Sequence, residues 1–202
     1  MKVAVIDHGA GNLVSMVRAL ETVGAEPSIV TSGPLDRFDR VVLPGVGATG
    51  PAMRTLNHSS LTGELRGFGG PLLGVCVGMQ LLFDFSTEDD TECLGLIAGT
   101  VQRLTTSPLP HIGWNAVSSD ASGLFVGLAR DELFYFVHSF AVRPSDQQVS
   151  IGETTYGTDV FTTAVAERNV TGVQFHPERS GSAGLAVLAT FVNGAGQVRR
   201  VA

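Results

Sequence analysis

Lysine is almost missing from this chain. Lys2 is the only one in 202 residues, and it falls in the first expected strand. That disfavours Schiff-base chemistry, and no G-x-x-x-x-G-K-[ST] phosphate loop occurs. Cysteine is nearly as scarce. Cys76 and Cys93 show no metal-ligand spacing and no disulfide framework, so no metal is expected and a reduced, cytoplasmic chain is the simplest reading. Basic excess is absent too. A formal net charge of −6 argues against nucleic acid or an anionic membrane as the main partner. Long apolar runs are also lacking: Val3–Ile6 is too short for a signal peptide or a membrane span. Tryptophan occurs once, as Trp114.

What is present is a core. Hydrophobic residues make up 44% of the chain, enough for one sizeable domain over residues 1–202. Lys2–Asp7 reads as a buried strand and Leu13–Val23 as a helix, with Asn12 as its cap and Gly24 as its end. The loop between them hints at a dinucleotide fingerprint, but the third glycine of G-x-G-x-x-G would fall at Val14. Strands are expected at Pro27–Thr31 and Arg40–Leu43, then the glycine-rich loop Pro44-Gly45-Val46-Gly47-Ala48. Helical periodicity follows at Ala52–Leu56 and Leu61–Phe68. This alternation specifies an α/β fold, a doubly wound, mainly parallel sheet with helices on both faces. Beyond an acidic loop at Ser86–Glu92 the runs turn strand-like: Thr100–Leu104, Ile112–Val117, Leu133–Val137, Val149–Thr155 and Val160–Ala166. They suggest an antiparallel extension of the sheet. Val170–Phe175 is the last expected strand, and Gly181 and Gly184 precede a terminal helix over about Leu185–Asn193.

The chemistry concentrates at Gly74-Val75-Cys76-Val77-Gly78. An apolar strand runs into it and a helix leaves it, the thiol version of a nucleophile elbow. An ordinary thiol titrates near about 8.5, so little is thiolate at neutral pH. A helix N-terminus favours the thiolate, and its free N–H groups can hold an oxyanion. A buried structural thiol is the competing reading. A thiol nucleophile needs a base and a group to orient that base. Of five histidines, His176 is the best placed, because it closes an apolar strand and should emerge at the same sheet edge as Cys76. Glu178 stands two residues on, with Pro177 stiffening the link.

These segments carry a resemblance. The elbow through Gln80, taken with Gly172-Val173-Gln174-Phe175-His176-Pro177-Glu178, resembles the triad-type (class I) glutamine amidotransferases. His111-Ile112-Gly113-Trp114-Asn115 and Tyr135-Phe136-Val137-His138-Ser139-Phe140 narrow it to the glutaminase subunits that feed a separate cyclase. Thr49, Val77, Ala98 and Arg179 depart from the family's usual residues, and none removes a catalytic group.

The resemblance implies a Cys76–His176–Glu178 triad that hydrolyses glutamine through a thioester. It implies an oxyanion hole from the Val77 N–H and one of Val46 or Gly47. Gln80 and Glu88, with the backbone near Ser139 and Phe140, would hold the amino-acid end of glutamine. The partner implied is a (β/α)-barrel cyclase, paired as a heterodimer, that makes imidazole glycerol phosphate in histidine biosynthesis. Asn12, Trp114 and Arg179 are the expected interface residues. No cofactor is implied. The alternatives are a glutaminase serving another synthase, such as that of pyridoxal phosphate, and a non-catalytic module with a structural thiol.

Overall fold

The parallel half of the sheet is built from four short strands, three of them apolar, as the computed structural model shows; it describes residues 1–194. β1 (Lys2–Ile6), β3 (Arg40–Leu43) and β4 (Leu72–Val75) are buried on both faces for nearly their whole length. That pattern suits strands sandwiched between helical layers. β2 (Glu26–Val30) forms the edge beside β1. The helices in this half are α1 (Leu13–Thr22), α2 (Thr49–His58), α3 (Leu61–Gly67) and the short α4 (Val77–Leu81). Asn12 caps α1 by accepting from the Ser15 N–H, as its position before the helix implied.

The second half is antiparallel in most of its pairings. It holds a two-residue hairpin, β5 (Phe85–Ser86) and β6 (Thr91–Glu92), then β7 (Gly99–Arg103), β8 (His111–Ser118), β9 (Asp131–His138) and β10 (Phe140–Pro144). β11 (Ser150–Tyr156), β12 (Asp159–Glu167), β13 (Val170–Val173) and α5 (Gly181–Asn193) complete it. Among the described residues the strand order is β2-β1-β3-β4-β13-β12-β10-β7-β5-β6. β13 pairs parallel to β4 and antiparallel to β12, so it joins the two halves. β8 and β9 form a long ribbon that leaves the main path through β11.

Several expectations need correcting. The acidic stretch Ser86–Glu92 is not simply a loop, because its two ends pair as β5 and β6. No expected strand covers β10. α5 begins at Gly181, so Gly181 and Gly184 lie inside it rather than before it. β13 ends at Val173, two residues short of Phe175. Residues 195–202 of the expected single unit lie outside the described residues.

Among the described residues no helix is long and apolar enough to cross a membrane. The apolar interior is nearly continuous through both halves, with Phe134 stacked on Phe175 and Phe136 edge-on to it where the ribbon meets β13. α1 packs on α5, while α2 packs on α3 and α4, which gives the sheet its two helical layers.

Candidate functional site

The site lies at the carboxyl ends of β4 and β13. The parallel register sets Val75 level with Val173, so the next residues, Cys76 and Gln174, stand side by side. The Cys76 N–H donates to the Val173 carbonyl at 2.8 Å, which continues the ladder by one residue. At Cys76 the chain turns sharply, with φ 55° and ψ −110°. A non-glycine residue held at positive φ is costly and persists only where its surroundings enforce it. Here they do. A Cβ on Gly78 would run into the Leu43 carbonyl, and one on Gly74 would press on the Gly78 backbone. The two glycines let β3, β4 and α4 close tightly around the turn. α4 itself is only five residues long. Its aligned dipole is therefore small, and the individual N–H groups at its start are the useful feature.

His176 and Glu178 follow β13. The His176 N–H donates to the Tyr135 carbonyl on β9 at 2.9 Å, tying this loop to the ribbon. The His176 Nδ1 lies 2.9 Å from Glu178 Oε1, and both side chains are almost wholly buried. Glu178 therefore accepts from the Nδ1 N–H, while Nε2 has no hydrogen-bond partner. Burial opposes a charge on His176, but the neighbouring Cys76 sulfur and the Glu178 carboxylate outweigh it and hold its pKa well above the ordinary value. A cysteine sulfur, an imidazole whose Nε2 makes no hydrogen bond and an orienting carboxylate thus adjoin one another. This arrangement can perform nucleophilic attack on an acyl carbon, with proton transfer through His176.

A cleft opens over the sulfur. Gly47, Cys76, Val77, Gln80, Glu88, Val137, His138, Ser139 and Phe140 line it. Of the expected oxyanion candidates, Val77 and Gly47 both line it; Val46 does not, and its side chain is exposed. Gln80, Glu88, Ser139 and Phe140, the expected substrate contacts, also line this cleft. Gln80 is less free than a surface residue would be. Its Nε2 donates to the Phe140 carbonyl at 2.9 Å and to Gln174 Oε1 at 3.1 Å. Glu88 has a structural task as well. It accepts the Thr49 N–H at 3.0 Å and so caps α2, whose N-cap Ala48 has no polar side chain to do so, while Thr49 Oγ1 donates to the Glu88 carbonyl. Thr49, one of the departures, is thus the residue that anchors Glu88. Burial raises the Glu88 pKa, and the Thr49 N–H partly offsets that.

Sequence reasoning missed three buried groups. His8 donates from Nε2 to the Pro44 carbonyl at 2.7 Å and so pins the glycine-rich loop to the loop after β1. His111 and His138 pair across β8 and β9, with 3.1 Å between His111 Nδ1 and His138 Nε2. His138 Nδ1 donates to the Phe140 carbonyl at 2.8 Å. Only the register of the ribbon brings these two rings together, and no local pattern encodes that.

Burial lowers the pKa of His111 to about 4 and of His138 to about 3. Both are neutral in the folded protein, whereas in the unfolded chain they titrate near about 6.5. Below that pH the unfolded state binds more protons, so stability falls as the pH drops from about 6.5 towards 4. The expected loss is on the order of 3 kcal/mol. Urea unfolding at pH 7, 6 and 5 should show it, before most carboxylates titrate, and His111→Gln should flatten the slope. An equal slope in that variant would assign the acid sensitivity elsewhere.

The expected interface residues lie apart from the cleft floor. Asn12 is exposed at the start of α1. Trp114 is 56% exposed on β8, so it is no core residue. It meets the Tyr135 ring edge-on, and the Arg179 guanidinium lies 4.3 Å from that ring's centroid. Ile112 and Leu133, both exposed, extend the same face of the ribbon.

The family model for "Glutamine amidotransferase class-I" matches residues 4–194. The chain belongs to this family. Among curated relatives of this amidotransferase, one from Cyanothece sp. (strain PCC 7425 / ATCC 29141) is 43% identical, covering 95% of each chain. One from Herpetosiphon aurantiacus is 45% identical over 94% of this chain and 93% of its own. Both are named imidazole glycerol phosphate synthase subunit HisH. Solved structures agree on the fold. A putative GMP synthase protein from Thermoplasma acidophilum superposes with a TM-score of 0.74 at 21% identity, covering 96% of this chain and 92% of its own. A structure titled PurLQS from Thermotoga maritima gives 0.74 at 21%, covering 96% and 98%. Among the described residues of this amidotransferase, no group of three or more His, Cys, Asp or Glu side chains is arranged to hold a metal.

Proposed function

We propose that this chain is the glutaminase subunit of an imidazole glycerol phosphate synthase. The reading is carried by Cys76 standing beside the buried His176–Glu178 pair at adjoining strand ends. The nearly full-length likeness to subunits of that name supports the choice of synthase.

In this reading Cys76 Sγ attacks the side-chain amide carbon of glutamine, and His176 takes the thiol proton. The C–N bond breaks and His176 returns the proton to the departing ammonia. Water then adds to the thioester, giving its proton to His176, and the C–S bond breaks with its electron pair on sulfur. Glu178 holds the imidazole in the required tautomer and supports its charge. N–H groups of Val77 and of Gly47 or Val46 face the developing oxyanion, and each such donor is worth about 2.7–4 kcal/mol in comparable sites. Gln80, Glu88 and the Ser139–Phe140 backbone hold the amino-acid end of the substrate.

The ammonia passes to a separate (β/α)-barrel cyclase. The exposed Trp114, with Tyr135 and Arg179 against it, suits an aromatic anchor at that contact, since buried aromatic and arginine anchors dominate binding energy.

The test is ammonia release from glutamine by the purified chain, with and without the cyclase and its ribotide substrate. Hydrolysis that rises in kcat on adding the cyclase is expected. Trp114→Ala should weaken the complex by at least about 2 kcal/mol with little change in melting temperature. Absence of hydrolysis under every condition would reject the enzyme reading.

A further inference from the structure

The reading above leaves one polar side chain against the nucleophile without a role. Gln174 is completely buried, and its Nε2 lies 3.7 Å from Cys76 Sγ. An amide could present either its oxygen or its nitrogen to the sulfur. Its neighbours decide which. The Phe140 carbonyl can only accept, so the Gln80 group beside it, at 2.9 Å, must be the –NH₂. The second N–H of that group donates to Gln174 at 3.1 Å, which must therefore offer Oε1. The nitrogen of Gln174 is then the end turned towards the sulfur. The orientation of two buried amides is set by one backbone carbonyl, which also receives the Nδ1 proton of His138.

We propose that Gln174 is a further catalytic residue of this site, an N–H donor to the Cys76 thiolate. The inference rests on the glutaminase reading for its role in turnover, but the contact itself does not. A donor to sulfur stabilises the thiolate before attack and again when the thioester C–S bond breaks and its electron pair returns to Sγ. One neighbour works the other way. The Val137 carbonyl lies 3.8 Å from Sγ and accepts from the neutral thiol, so the Gln174 donor counters the contact that favours S–H. His176 serves the proton, while Gln174 serves the charge left behind.

The titratable groups facing the sulfur are His176 with Glu178 behind it, His138 from the ribbon, and Glu88 across the cleft. All remain in a Gln174→Met variant, which keeps the side chain's length and removes its donor. The experiment is the rate of iodoacetamide alkylation of Cys76 against pH, on the intact chain. Gln174→Met should move the midpoint up by about one pH unit, a roughly tenfold loss of rate at neutral pH. A purely structural role would lower the melting temperature and leave the midpoint alone, and that result overturns the proposal. The unmodified protein gives a second readout independent of any folding defect. The side-chain amide protons of Gln174 should titrate in NMR with the alkylation midpoint and stop doing so in Cys76→Ala. Resonances that ignore the thiol would equally overturn it. Loss of the glutaminase reading would show separately, as an unmodified chain that releases no ammonia.

Discussion

Replacing Cys76 with serine should lower glutamine hydrolysis by at least about 10⁴-fold, because nucleophile and base act as a unit. The fold should survive, since the hydroxyl is close in size to the thiol and position 76 is held by backbone bonds to Val173 and Gln80. Cys93→Ser is the control. Burial pushes the Cys93 thiol up to about 11, and it sits beside the Thr91 carbonyl, away from the cleft. It should remain unalkylated and dispensable. His176→Ala should match the Cys76 loss. Glu178→Gln should cost less, since it keeps the shape and removes only the charge that supports His176. Mass-spectrometric mapping of alkylation with a coupled ammonia assay reads all four. Full activity in Cys76→Ser would end the assignment.

Gly184→Ala should damage both stability and turnover, though Gly184 touches no substrate. A Cβ there would run into the backbone of Pro177, the residue between His176 and Glu178. The same junction is stapled by Ser180, whose hydroxyl donates to the His176 carbonyl at 2.7 Å and accepts the Tyr135 N–H at 3.0 Å. An added methyl must either lift α5 from a core that includes Val187 and Leu188 or displace the His176–Glu178 turn. Overpacking of this kind costs about 1–3 kcal/mol, several degrees of melting temperature at this size. A shift approaching 1 Å at His176 costs about 10²-fold in kcat. Gly63→Ala in α3 supplies the contrast, because nothing lies within 4 Å of its added Cβ. It should be neutral or stabilising by up to about 1 kcal/mol. Equal behaviour of the two variants would contradict the close approach of α5.

The parallel half was legible because three of its four strands, β1, β3 and β4, are buried on both faces. They read as unbroken apolar runs, and Arg40–Leu43 has the same bounds in sequence and structure. β10 was not legible. It mixes Phe140, Arg143 and Pro144 in five residues, and its strand character comes from pairing with β7 and β12. The start of α5 was obscured for a different reason. Gly181 and Gly184 look like a loop, whereas Gly184 is small because the helix lies against Pro177. In the site, Cys76, His176 and Glu178 stand out through spacing along one strand end each. Gln174 and His138 do not, because their meaning depends on which residue faces them from another strand. Thr49 reads as an irregularity until Glu88 is seen bonded to it.

The left-handed turn at Cys76 has a consequence for any attempt to improve this protein. Only glycine adopts φ near 55° with ψ near −110° without strain, and glycine has no sulfur. A screen that rewards heat resistance alone would therefore drift towards Cys76→Gly and harvest inert molecules. Robustness and reactivity pull this position in opposite directions, so directed evolution here must select on turnover in every round.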